Sequence, residues 1–357
     1  MDKSNTYKKM NIVSSKSYKF RLIYSLIFFL SIDLLLGSAP EYENKHEKRY
    51  YAYATSITAI LRDFNFAAAG DWGCNSNTNK TISSMQSKNP ELVLGLGDYS
   101  YKNTAGCWLQ MIDPIDEKMK IIIGGHDSEP LSLLSQYMNH FNLTKQYYSF
   151  DYQNVHFIAM STELPWTKSS SQYKFVKDDL LKTSIDTNID WIVVIYHDLA
   201  YTSPSVKDAK SSLRDTYHPL FDRYNVDLVL QAHQHNYQRT YPLNYNSDSP
   251  SNPIETSNNT DTYNDPSGQI YATVGTGGVS ITDGEDQTKP LFDSGEALYD
   301  FKGKASFVVT QIKGYGFLNI DVKNNGTTFD AKFYANDGTI KDQFMIAKQV
   351  RPSKTLR

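Results

Sequence analysis

Short runs of apolar, β-branched or aromatic residues recur at 64–69, 92–96, 120–123, 191–196 and 227–230. Each is long enough for a buried strand and too short for a helix. Between them lie stretches with apolar residues three and four apart, clearest in QYKFVKDDLLKT at 172–183 and SSLRDTYHPLFDRY at 211–224. That spacing gathers the apolar positions onto one stripe of a helix. Strand, helix and strand in alternation predict a largely parallel sheet covered by helices. Beyond residue 269 the rhythm changes. Runs at 270–274, 305–312, 317–322, 327–334 and 343–347 are strand-like with no helical stretch between them, and Asn325-Gly326 and Asp337-Gly338 have hairpin-turn chemistry. This third of the chain is expected to form antiparallel strands of a second sheet. Residues 242–268 are polar and rich in Pro, Asn and Ser, and read as a long solvated loop, either a surface insertion or a lid.

The apolar run at 22–36 is of another kind. It follows a basic stretch and precedes Gly37, Ser38 and Ala39, the layout of a secretory signal peptide. It is short for a membrane span and contains Asp33. A cut after Ala39 would leave Pro40 first, which signal peptidases disfavour, so an uncleaved N-terminal anchor is the alternative. The domain is expected to work outside the cytoplasm in both cases, secreted or anchored at the outer face of a membrane. The expected plan is a signal peptide or anchor at 1–39, a linker at 40–63, one catalytic domain at 64–348 and a tail at 349–357.

Composition narrows the function classes. Hydrophobic residues make up 40% of the 357 and aromatics 13%, with 26 Tyr, enough to bury a substantial core. The net charge is −3, but residues 1–39 carry +4, which leaves −7 on the remainder. No basic footprint for a polyanion exists, so a nucleic-acid partner is not expected. Two cysteines exclude a disulfide scaffold and a thiolate zinc cluster.

The chemistry collects just past the strand ends. The first strand runs into Gly70-Asp71-Trp72-Gly73, the second into Gly97-Asp98-Tyr99-Ser100-Tyr101, and the third into Gly124-Gly125-His126-Asp127. The fourth leads to His197-Asp198 and the fifth to Ala232-His233-Gln234-His235. Singly, such an Asp is often a helix cap and such a His a core residue. Five in succession place acids and imidazoles at one sheet edge, where α/β proteins carry their ligand sites. Asp, Tyr and His without Cys form an oxygen and nitrogen donor set suited to iron, manganese or zinc. Six donors exceed the needs of one ion, and two ions about 3.5–4 Å apart can clamp both reacting oxygens in phosphoryl transfer. Metal-bound water would furnish hydroxide near neutrality, and no serine or cysteine nucleophile motif is present.

GDWG, GDYSY, GGHD, the His after VVIY, and AHQHNYQR together resemble the calcineurin-like metallophosphoesterases. Tyr101, three residues after Asp98, is similar to the pattern of the purple acid phosphatase branch, as are QYKFVKDDL, the GTGG at 275–278 and YGFLNIDV at 315–322. The resemblance covers about 64 to 322 and implies a four-layer α/β/β/α sandwich of two mixed sheets, in a small single-domain form. It implies that Asp71, Tyr101 and His235 hold a first metal ion, iron(III) in the family. Asp98 would bridge, and His197 and His233 would hold a second ion, iron, zinc or manganese. His126 would be the general acid that protonates the leaving group, and Tyr237 and Arg239 would support the site. The implied reaction is hydrolysis of small phosphomonoesters by metal-bound hydroxide.

Two positions depart from that pattern. Ala232 replaces a glycine before the histidine pair. Gly125 replaces an asparagine that ligates the second metal in the family, so the second ion is expected to be held weakly, with water in the open position. The alternatives are a phosphodiesterase or nucleotide hydrolase with the same site, or a non-catalytic phosphate- or metal-binding protein. Membrane contact is expected only if the N-terminal segment stays attached. Cys74 lies just past Asp71 and Cys107 just past Tyr101, so their loops should be neighbours and the pair oxidised outside the cytoplasm, the alternative being two separate buried thiols.

Overall fold

The protein is described here from a computed structural model, which covers residues 63–203, 207–279 and 304–349 and the backbone of the paired segments Phe292–Asp293 and Glu296–Ala297. The expected N-terminal leader or anchor, nearly all of the linker and most of the tail lie outside the described residues. The described part belongs to one compact unit, 59–357.

Two seven-stranded mixed sheets face each other. In the first, Phe64–Ala69 (β1), Leu92–Gly95 (β2) and Met119–Ile121 (β3) run parallel. On its other side β1 pairs antiparallel with Gly316–Lys323, which leads through Thr328–Ala335 to Ile340–Ala347 and finally to Thr262–Asn264 at the edge. In the second sheet, Tyr148–Tyr152 (β4) and Val155–Ala159 (β5) form an antiparallel hairpin. Then β5, Trp191–Ile195 (β6), Leu228–Gln231 (β7) and Ile270–Val274 run parallel. Tyr237–Thr240 (β8) and Val308–Ile312 close the far side antiparallel.

Aromatic side chains fill the space between the sheets. Phe66 of β1 meets Phe157 of β5 edge-on at 5.3 Å, Trp191 of β6 stacks on Phe329 at 3.9 Å, and Tyr237 of β8 stacks on Phe333 at 4.2 Å. Each such pair adds about 0.5–1.5 kcal/mol beyond the area it buries. Outside the second sheet, helices Ser171–Thr183 and Ser211–Tyr224 set Val176, Leu180, Leu213 and Phe221 against its outer face. Helix Ser76–Gln86 packs Ile82 and Met85 onto the first sheet, its start capped by the Asn75 side chain, which accepts from the backbone N–H groups of Asn77 and Thr78. The architecture is therefore helix, sheet, sheet, helix, as the resemblance implies.

One sequence expectation is corrected. The C-terminal strands do not make a sheet of their own: Ile270–Val274 and Val308–Ile312 enter the second sheet, and the last three long strands extend the first. Likewise β1–β3 and β6–β7 belong to opposite sheets. A hydrophobic run reports that a strand is buried, not which sheet buries it. The polar stretch 242–268 contains Thr262–Asn264, which pairs beside Ile340–Ala347, so part of it is sheet edge rather than loop.

Candidate metal centre

The ends of β1, β2 and β3 from one sheet and of β5, β6 and β7 from the other converge on one cluster of donors. The first two loops are laced together: Asp71 N donates to Gly97 O, Trp72 N to Asp98 O and Gly73 N to Tyr99 O, at 2.7–3.0 Å. This ladder continues the β1–β2 pairing past the strand ends and fixes the two aspartates side by side. Asp71, Asp98, Tyr101 and His233 all have positive φ, between 52° and 66°. L-residues occupy that region at a cost of about 1–3 kcal/mol each, which persists where surrounding structure enforces it.

Three donors meet around the Tyr101 hydroxyl. It lies 3.1 Å from Asp71 Oδ1, 3.3 Å from Asp98 Oδ2 and 3.2 Å from His235 Nε2, and His235 Nε2 is 3.5 Å from Asp71 Oδ1. Asp98 Oδ2 also lies 3.2 Å from His197 Nε2. Asp98, His197 and His233 each offer a ligand atom within 4.8 Å of the others, an arrangement able to hold an ion. His197 Nδ1 donates to Leu96 O at 2.8 Å, which turns Nε2 toward Asp98. That buried Nε2 and the buried Asp71 Oδ2 have no hydrogen-bond partner. Orphaned buried acceptors in an Asp, Tyr and His donor set fit metal ions well.

Burial alone would raise the Asp98 carboxyl and lower the His197 imidazole, yet each holds the other in its charged form, Asp98 well below and His197 well above its ordinary range. His233 is pushed down to about 4 by burial and by His197, which keeps it neutral as a ligand must be. Burial and the Asp71 carboxylate push the Tyr101 phenol well up, so only a strong neighbouring cation would ionise it there. Asp127 is raised to about 8 by burial and by Asp98; it accepts from the backbone N–H groups of Asp98, Tyr99 and Gly124 and so clamps the β2 and β3 loops together.

His126 stands at the rim with its side chain exposed, its ring 4.4 Å from that of Tyr101 and its N–H donating to Asp98 Oδ1 at 2.9 Å. Gly124 is required where it stands, because a β-carbon there would lie 2.4 Å from Asp98 Oδ1. At Gly125 a β-carbon would meet nothing within 4 Å. The space of the expected asparagine is open, and the backbone there is in a helical turn rather than the left-handed region. Tyr237 and Arg239 turn elsewhere than expected. Arg239 grips Asp342 through Nε at 2.6 Å and Nη2 at 2.9 Å, and Tyr237 donates to Asp342 Oδ2 at 2.8 Å, fastening β8 to strand Ile340–Ala347.

Cys74 and Cys107 form a disulfide with a Cα–Cα distance of 6.0 Å, tying the loops that follow Asp71 and Tyr101.

Two acidic residues at the centre were not singled out by the sequence. Asp198 Oδ1 lies 3.7 Å from His233 Nε2. Glu163, half-buried past the end of β5, has a carboxyl raised by burial, drawn back by His197 and raised further by Asp198 and Asp98. The available signal was VHFIA at 155–159, a strand-like run followed within four residues by an acid, like those before Asp71 and Asp98.

Residues 64–237 match the family model described as calcineurin-like phosphoesterase. The chain is 27% identical over 293 residues to purple acid phosphatase 23 of Arabidopsis thaliana, covering 65% of this chain and 60% of that protein. It is 28% identical over 219 residues to the probable inactive purple acid phosphatase 1 of the same plant, covering 59% and 32%. It spans about half the length of the curated relatives it matches. Among solved structures, the purple acid phosphatase PPD1 from yellow lupin (Lupinus luteus) seeds superposes with a TM-score of 0.64 at 20% identity, over 83% of this chain and 57% of that one, a likeness of fold. With the sandwich and its donor cluster, these matches identify residues 64–237 as a calcineurin-like phosphoesterase domain, in a chain similar to the purple acid phosphatases.

Proposed function

We propose that the protein is a metal-dependent phosphatase acting outside the cytoplasm on small phosphomonoesters. The observation that carries this reading is the shared Asp98 Oδ2, 3.3 Å from the Tyr101 hydroxyl and 3.2 Å from His197 Nε2. It joins two donor groups, Asp71, Tyr101 and His235 on one side and His197 and His233 on the other. Ions held there, iron(III) in the first position and iron, zinc or manganese in the second, would supply the nucleophile and neutralise charge on the phosphoryl oxygens. Asp98 orients both groups at once, and the Leu96 carbonyl fixes the His197 tautomer. His126, exposed at the rim and steadied against Tyr101, protonates the leaving oxygen as it departs. A protonated imidazole favours acid to neutral pH.

The test is metal analysis of the purified protein beside hydrolysis of an aryl phosphate. Turnover with two ions per chain is expected, and His126→Ala should lower kcat about 10²- to 10⁴-fold. A protein that holds two ions yet cleaves neither mono- nor diesters would overturn the reading. That outcome would favour a non-catalytic binder, the reading that Gly125 and the likeness to a probable inactive relative support.

A further inference from the structure

We propose that the Glu163 carboxylate takes the coordination position left open at Gly125 and completes the second cation site with Asp98, His197 and His233. This rests on the metal-site reading above and deepens it.

The parallel pairing of β5 with β6 sets the position. Ala159 is opposite Ile195, and Met160 N donates to Ile195 O at 2.9 Å. Just beyond, Asp198 N approaches Thr162 Oγ1 at 3.4 Å. The segment Thr162-Glu163 therefore runs alongside His197-Asp198, whose histidine is a donor of the second site. From there Glu163 reaches across to the β3 loop: its Oε2 lies 3.4 Å from Ser128 Oγ, which in turn donates to Gly125 O at 3.0 Å. The carboxylate thus rests against the turn that carries the open position, and no β-carbon at Gly125 blocks it.

The segment is built rather than loose. Glu163 N donates to Ser161 Oγ, Ser161 N to Gln172 Oε1 at 2.7 Å, and Gln172 Nε2 back to Ser161 O at 2.8 Å. What Glu163 faces is a site with a demand for a cation. His197 Nε2 is buried without a hydrogen-bond partner, 3.2 Å from Asp98 Oδ2; Asp198 Oδ1 lies 3.7 Å from His233 Nε2, and the Glu163 carboxyl feels the charges of His197, Asp198 and Asp98. Like charges gathered so closely repel unless a cation lies among them. A carboxylate in place of a neutral amide adds one negative charge and a hard oxygen donor, which favours divalent ions such as manganese. The weak second site expected from Gly125 alone is thereby replaced by one of comparable strength.

The experiment counts all metal ions retained per chain after loading with manganese(II) and dialysis. It compares the wild type with Glu163→Gln, Gly125→Asn and the double variant, with circular dichroism confirming that each is folded. The wild type should keep two ions. Glu163→Gln, of the same shape, should keep one and bind the second 10- to 100-fold more weakly. Gly125→Asn in the Glu163→Gln background should restore the second ion, a rescue that a merely structural role for Glu163 would not allow. Two ions retained by Glu163→Gln, or only one by the wild type, would overturn the assignment while leaving the first site standing. No ion retained by the wild type would overturn the metal-site reading itself.

Discussion

At Gly275 a β-carbon would lie 2.1 Å from Gln234 O and 2.5 Å from Asp71 Oδ2. The GTGG segment is therefore the floor on which Asp71 and the His233–His235 turn rest, with Gly278 N and Val279 N both donating to Asp71 O. Gly275→Ala should cost about 1–3 kcal/mol, the range for overpacking a tight site, and should loosen metal retention together with thermal stability. Calorimetry with and without added metal ions would check this; an unchanged midpoint in both would remove the floor from the account. Tyr101 tests the other side of the cluster. Its hydroxyl touches Asp71, Asp98 and His235, while its ring lies beside the exposed His126. Tyr101→Phe should keep the fold and abolish the visible charge-transfer band of an iron(III)–phenolate centre, as an absorption spectrum of the iron-loaded protein would show. A coloured variant would mean that Tyr101 is not a ligand.

The β4–β5 hairpin carries a titratable strut of its own. His156 on β5 is buried, with Nδ1 2.5 Å from Asp151 on β4 and Nε2 2.9 Å from Asp179 on helix Ser171–Thr183. Burial lowers its pKa, but its hydrogen bonds to Asp179 and Asp151 outweigh this and hold it above the ordinary value. A raised folded-state pKa gives stability that is fully present below the unfolded value, about 6.5, and is lost as pH rises through the folded value. His156→Gln should therefore be most destabilising near pH 5–6, with the difference from wild type shrinking toward alkaline pH; urea melts across that range would reveal a flat difference if the strut is absent. This hairpin was also the least legible element. Strands such as Phe64–Ala69 and Ile270–Val274 stand out because both faces are buried and the apolar run is unbroken. YSFDY at 148–152 is half-exposed along its length, and its two-residue turn is Gln153-Asn154, with Gln153 at φ 51°, rather than an Asn-Gly pair. With the hairpin unread, the strand before Glu163 went unread too. The six expected ligands were nameable because each follows a recognisable strand end, and Asp198 stood beside one of them without a role. Glu163 was not legible, because its part depends on two neighbouring strands lying side by side.

At the scale of the whole molecule, the Cys74–Cys107 disulfide closes a loop across 33 positions that includes β2 and Asp98. Chain entropy gives such a loop about 3–4 kcal/mol of stabilisation. The Cys74→Ser, Cys107→Ser variant should unfold at correspondingly lower denaturant, and a midpoint equal to wild type under non-reducing conditions would remove the bond from the stability account. The metal centre spans the two sheets, so its donors depend on the aromatic contacts between them as well as on local loops. The pairing of β1 with Gly316–Lys323, which aligns Phe64 with Val322, has a consequence for how the protein is made. All six expected ligand residues have been synthesised by the time His235 emerges, yet the strand that flanks β1 and its two successors are still to come. Asp71 thus follows a strand whose antiparallel partner is made after every expected ligand. A nascent chain stalled before Gly316 would carry every expected ligand and still lack the strand that pairs with β1.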